Sequence, residues 1–157
     1  MRNFTKSAVV IGLGVGLVTS ASFAASHSSV TNPAVAARHA QMQMISYHTG
    51  VLGAVAKGEV EFNADMVNAA ATNLRELAKL NGSTLWIAGT EQGTVDGSRA
   101  KTEIWSDAAG FAAKFTALEN AANAAIGAAD AGAVGAAMGG IGGSCKACHE
   151  TYRGPKN

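Results

Sequence analysis

The chain carries only two cysteines and places both, with a histidine, in one pentapeptide near its C-terminus, Cys145-Lys146-Ala147-Cys148-His149. Residues at i, i+3 and i+4 share one face of a helix. Two thiols and an imidazole on one face admit four chemistries. A disulfide is poorly served, because thiols three apart on a helix hold their Cβ atoms wider than the ~3.8 Å such a bond prefers. A thioredoxin-like redox pair calls for a βαβ setting, and strand signals are almost absent. Structural zinc needs four ligands, and there is no second cysteine pair or nearby ligand cluster. The fourth is covalent haem. C-x-x-C-H is the attachment signature of c-type haem. Each thiol adds to one vinyl group, and the following imidazole takes an axial position on the iron. The spacing predicts one haem c, with Cys145 and Cys148 as thioethers and His149 as proximal ligand.

The N-terminus fits that chemistry, because c-type haem is attached outside the cytoplasm. Arg2 and Lys6 precede an apolar stretch, and Ser22 and Ala24 stand where a signal peptidase wants small residues. The apolar core from Ala8 to Val18 is too short to span a ~30 Å hydrocarbon layer at about 1.5 Å per residue. Residues 1–24 therefore read as a cleaved secretory signal, and residues 25–157 as a single exported domain in the periplasm. Losing Arg2 and Lys6 turns the formal charge from +1 to −1. No basic patch points to nucleic acid, and no later segment points to membrane insertion.

The elements that must position the motif are helical. Four stretches repeat apolar residues at alternating spacings of three and four. The first runs from about Pro33 to Lys57, capped by Asn32 and ended by Gly58, with Val35, Arg38, Met42, Ile45, Thr49, Leu52 and Ala56 on its stripe. The second runs from Asn63 to Asn81, with Leu74, Leu77 and Leu80 on its buried side. The third, capped by Thr102, runs unbroken from Glu103 to Ala129 through Phe111, Phe115 and Leu118. The fourth runs from Asp130 to Arg153 and carries Cys145, Cys148 and Tyr152. Together they predict an all-α antiparallel four-helix bundle. Residues 83–101 have no periodicity, though Leu85, Trp86 and Ile87 suggest that this connection packs against something. His39 and His48 fall off the stripe of the first helix and read as surface residues. Six glycines between Gly132 and Gly143 weaken the fourth helix by about 0.5–1 kcal/mol each relative to alanine. Close approach of a flat macrocycle would explain them.

The whole exported chain resembles the class II c-type cytochromes, the cytochrome c′ family with its low-spin methionine-ligated relatives. The likeness rests on "RHAQM" at 38–42, "AKGEVEF" at 56–62, "LWIAGTEQG" at 85–93, "AKTEIWSDAAGFAAKF" at 100–115 and "GGSCKACHETYR" at 142–153. The resemblance implies that Arg38 lies near a haem propionate and that Met42, one turn on, covers the distal face of the iron. It implies that Arg153 shields the proximal side and that Glu103 and Trp105 belong to a segment packed around the haem. A homodimer is also implied.

No nucleophile–base set, paired carboxylates or nucleotide loop suggests an enzyme. Two functions remain. If the Met42 sulfur binds iron, the protein is a one-electron carrier serving redox partner proteins. If Met42 only crowds the sixth site, the iron is five-coordinate, and the resemblance implies that it binds diatomic gases, nitric oxide or carbon monoxide, as scavenger or sensor. The thioether's capacity to ligate tilts the sequence reading toward the carrier.

Overall fold

The computed structural model describes Val30 and residues 32–156. The leader lies outside the described residues. The chain forms α1 (Pro33–Ala56), α2 (Ala64–Ala78), a 3-10 turn (Gly82–Thr84), α3 (Glu103–Ser106), α4 (Ala108–Asn123) and α5 (Ala131–Tyr152). α1 packs on α2 and α5, and α4 packs on α2 and α5, which closes a ring of four long helices. Short turns join α1 to α2 and α4 to α5, so these pairs are antiparallel neighbours. No described helix is long and apolar enough to cross a membrane.

Asn32 caps α1 as expected, and Asn63 and Asp130 cap α2 and α5. Asn32 Oδ1 accepts from the backbone N–H of Ala34 at 3.0 Å, Asn63 Oδ1 from Met66 at 2.9 Å, and Asp130 Oδ1 from Ala133 at 2.8 Å. Each satisfies an N–H that the first helical turn leaves unpaired. Gly58 at φ +73° takes the left-handed conformation that ends α1. The bundle core is built from Leu52, Val55, Val67, Leu74, Val134 and Ile141, all fully buried.

The expected third helix is not continuous. It breaks at Asp107, whose φ of −126° and ψ of 57° leave the helical region. Asp107 there has two tasks: it caps α4 by accepting from Gly110 N–H at 3.1 Å, and it accepts the Tyr152 hydroxyl at 2.6 Å. Thr102 makes no side-chain cap. α2 stops at Ala78, three residues short of the expected end, and leaves Leu80 51% exposed. His48 is buried against α1's own Tyr47, ring edge to ring face at 5.1 Å, rather than lying on the surface.

The long connection is tied down at both ends. Trp86 stacks edge-on against Phe111 at 4.8 Å, in a cluster that continues to Phe115 and Tyr152. Its far end zips onto the C-terminus. Ala100 and Arg153 form an antiparallel bridge, Gly154 N–H donates to Arg99 O at 2.8 Å, and Lys101 N–H donates to Tyr152 O at 3.1 Å. Gly154 is buried there, and any side chain on it would run into the amide of Gln92.

Candidate haem site

A cavity of about 610 Å³ opens between α1, α4, α5 and the long connection. That volume lies in the range of cofactor sites, ~300–1,000 Å³. α5 contributes Ser144, Cys145, Cys148 and His149, so the helical spacing puts both thiols and the imidazole on one wall. α1 contributes Arg38, Met42, Ile45 and Thr49, and the apolar lining is completed by Trp86, Phe111, Phe115 and Leu118. Both cysteines are unpaired and half-buried. No group of three or more His, Cys, Asp or Glu residues among those described could hold a metal ion by itself. A zinc site therefore has no ligand set here.

Burial pushes both thiols above their ordinary range, and for Cys148 the neighbouring Cys145 adds to the effect. Burial holds the His149 imidazole below its usual range, with Arg153 and Arg99 adding to it. The imidazole is thus neutral near pH 7, which is the form that ligates iron.

Arg38 is the most informative residue of the site. It is 4% exposed. Its Nη2 donates to Thr90 O at 3.1 Å and to Thr90 Oγ1 at 2.9 Å, and its guanidinium lies 5.0 Å from the Trp86 ring centroid. Its Nε and Nη1 are buried with no partner. A buried guanidinium with two idle donors needs an anion, since an unpaired buried charge costs several kcal/mol. The carboxylates of a haem propionate are such an anion. The residues present therefore fit the group: a thiol–thiol–imidazole face, a flat apolar slot, and a cation with donors to spare.

The other expected residues divide. Met42 lines the cavity, partly buried against the bundle core. Arg153 borders the cavity with an exposed side chain. Glu103 and Trp105 do not line it. Glu103 pairs with Lys101 at 3.1 Å, and the Trp105 indole N–H donates to Trp86 O at 3.0 Å, so of that segment only Ile104 reaches the wall. His39 is exposed yet borders the opening. From the sequence Trp86 is expected only to pack, and Thr90, Arg99 and Lys114 are not singled out as site residues. The first three sit in the aperiodic connection, and Lys114 lies on α4. Arg99 is fixed by donating to Gly154 O at 2.7 Å through Nη2.

The glycines do not serve the cavity. None lines it. A Cβ on Gly139, Gly142 or Gly143 would meet nothing within 4 Å, whereas one on Gly140 would meet Ala121 of α4 at 3.3 Å. Only the last reflects close helix packing. The expected macrocycle contact does not explain the others.

Fold and site thus define a four-helix bundle built around a C-x-x-C-H haem-attachment face. A family model described as cytochrome C′ matches residues 33–153. Cytochrome c′ of Cereibacter sphaeroides is 39% identical over 126 residues, covering 76% of this chain and 81% of that protein. The solved structure of cytochrome c′ from Rhodobacter sphaeroides superposes with a TM-score of 0.73 at 38% identity, covering 78% of this chain and 96% of the other. A nitric oxide complex of a leucine-to-isoleucine mutant of cytochrome c prime from Alcaligenes xylosoxidans gives a TM-score of 0.66 at 34% identity, covering 78% and 94%. The chain belongs to the cytochrome c′ family. Its function is accordingly haem-based, in redox or gas binding, and not enzymatic.

Proposed function

We propose that this chain is an exported, periplasmic haem c protein whose iron binds a diatomic gas, nitric oxide above all, and exchanges single electrons with protein partners. One observation carries the reading. The Cys145–Cys148–His149 face and the buried, half-partnered Arg38 line one cavity. An apolar slot with attachment chemistry on one wall and an anion receptor on another complements a flat macrocycle that bears carboxylates.

In this reading Cys145 and Cys148 would hold the macrocycle as thioethers, His149 would ligate its iron, and Arg38 would receive a propionate. The bound haem supplies the one-electron couple and the iron on which a gas binds. The chain's residues do the rest. The Trp86, Phe111, Phe115 and Leu118 lining excludes water from the slot. Arg99 holds the C-terminal segment beside His149. Arg153 adds positive charge on the same side. Glu103 and Trp105 act one layer out, by fixing the connection that carries Trp86.

Met42 decides between gas binding and a pure carrier. Its side chain is packed against the bundle core. We take it to crowd the sixth position without filling it, and the nitric oxide complex of a relative supports that choice. A carrier with Met42 as axial ligand is the second reading, favoured by a thioether at that position. Met42→Ala separates them. The gas reading expects a high-spin ferric signal before the change and faster carbon monoxide binding after it. A low-spin ferric signal that turns high-spin on mutation would establish the carrier instead. A homodimer through α1 is consistent with Met44 and Tyr47, which are 47% and 64% exposed on that helix.

A further inference from the structure

The lining of the haem cavity carries charge of one sign only. It includes Arg99, Lys114 and Arg153 and contains no Asp or Glu. These three come from different elements: the long connection, α4 and the C-terminal cap of α5. They gather around the attachment face. Arg153 and Arg99 both disfavour a charged His149, and Lys114 and Arg153 both act on the Cys148 thiol. All three are at least partly exposed, Arg153 most of all. Among the described residues, no carboxylate lies within ion-pair distance of any of them. Elsewhere Lys57, Arg75, Lys79, Lys101 and Lys146 each pair with a glutamate. Asp107, which Lys114 also feels, is committed to the Tyr152 hydroxyl and the Gly110 N–H. Glu150, next to His149 in the chain, is matched by Lys146. A haem would not neutralise the cluster either. Its vinyl and carboxylate groups stand on opposite halves of the ring, so attachment at Cys145 and Cys148 would turn the carboxylates away from Lys114 and Arg153.

We infer that the rim formed by Arg99, Lys114 and Arg153 is the docking surface for a small electron-transfer protein with an acidic contact face. The inference rests on the redox half of the proposed function and adds the chemistry of the partner. Transient electron-transfer contacts are small, below about 1,200 Å² in total, and rely on charge for encounter and orientation. Like charges around an apolar opening meet that need, with the apolar part at the centre and the polar part at the rim. The whole chain has a formal charge of only +1, so the attraction is local to this face. A small anion would want donors converging on one point. Arg99 instead spends Nε and Nη2 on Gly154 O, so the three residues offer charge rather than a shared set of donors.

The test uses the haem-loaded protein and a reduced plant-type ferredoxin, an acidic iron–sulfur protein and a strong one-electron reductant. Stopped-flow absorbance gives the second-order rate constant for reduction of the ferric haem. It should fall about tenfold as salt rises from about 10 mM to about 500 mM and screens the charges. At low salt, Lys114→Gln combined with Arg153→Gln should slow the reaction roughly three- to tenfold. At high salt the double variant and the native chain should converge, which a damaged fold would not do. Lys57→Gln, just beyond the far end of α1, should change neither rate. Oxidised ferredoxin should also shield Lys114 from acetylation, read by mass spectrometry, and leave Lys57 open to it. A rate that ignores salt, a double variant as fast as the native chain at low salt, or equal shielding of Lys114 and Lys57 would each overturn the inference. Reduction of the same haem by dithionite reports separately on the redox reading, and the shielding assay needs no electron transfer.

Discussion

Replacing Arg38 by leucine should be the most revealing single change in the haem site. In the structure Arg38 gives one nitrogen to Thr90 and keeps Nε and Nη1 for something not on the chain. Loss of the Thr90 bonds alone would cost little. The Thr90 carbonyl still accepts from Ser98 Oγ at 2.6 Å, and its hydroxyl still donates to Ile87 O at 2.6 Å. The main cost is therefore the carboxylate left without its cation. Breaking one partner of a buried ion pair costs about 3–5 kcal/mol. The haem-loaded Arg38→Leu protein should lose stability of that order in urea titration at pH 7. Its reduction potential should fall, because removing a positive charge near the haem disfavours the state with one more electron. For one electron, each 1.4 kcal/mol of differential stabilisation is about 59 mV. Arg38→Lys keeps the charge but not the planar set of donors, and should lie between the two. An Arg38→Leu protein with unchanged potential and urea midpoint would refute the assignment of those two idle nitrogens to a propionate.

Acid–acetone treatment of the exported protein should leave haem on the polypeptide, and changing both Cys145 and Cys148 to alanine should release it; extractable haem from the unchanged protein would contradict thioether attachment. Gly139→Ala, Gly142→Ala and Gly143→Ala each add a side chain into open space on α5, so each should raise stability by about 0.5–1 kcal/mol in thermal melts. Gly154→Ala should lower it slightly, because the displaced Gln92 amide would give up its hydrogen bond to Pro155 O. The Tyr152–Asp107 hydrogen bond, at 2.6 Å, should be visible in the pH dependence of stability. It holds the Asp107 carboxyl below its ordinary value, with the Gly110 N–H next, and pushes the Tyr152 hydroxyl up to about 12. The Asp107 contribution is present above the unfolded carboxyl value and is lost as pH falls through the lower folded one. The Tyr152 contribution is present below pH ~10 and is lost as pH rises toward about 12. Tyr152→Phe should be less stable than the native chain at pH 7 and converge with it at both extremes, as read by urea titration; a constant difference across pH would argue that only packing is lost.

The parts of this molecule that obey helical periodicity were legible from its residues. Asn32, Asn63 and Asp130 cap as their types and positions suggest, and the Cys145–Cys148–His149 face follows from spacing alone. What escaped was tertiary. Asp107 breaks the third helix because Tyr152, 45 residues away, offers it a better hydrogen bond than helix continuity would. His48 is buried although it lies off the expected apolar stripe of α1, because it shares a helix face with Gln41 and Val55, which are buried too, and Gln41 reaches Leu77 O of α2. Trp86 and Arg99 belong to an aperiodic connection, whose contacts with Phe111 and Gly154 are set by the folded chain rather than by any local pattern. The glycines of α5 misled in the opposite direction, since a plausible local cause was at hand and the structure places most of them at the surface.

The proposed function requires a covalently held haem whose iron Met42 would leave free to take a gas. Absorption spectra of the purified exported protein, ferric and ferrous, before and after nitric oxide is added, test that directly. High-spin spectra in both oxidation states and a prompt change on adding the gas are expected. Low-spin, six-coordinate spectra in both states that do not respond to nitric oxide would contradict it.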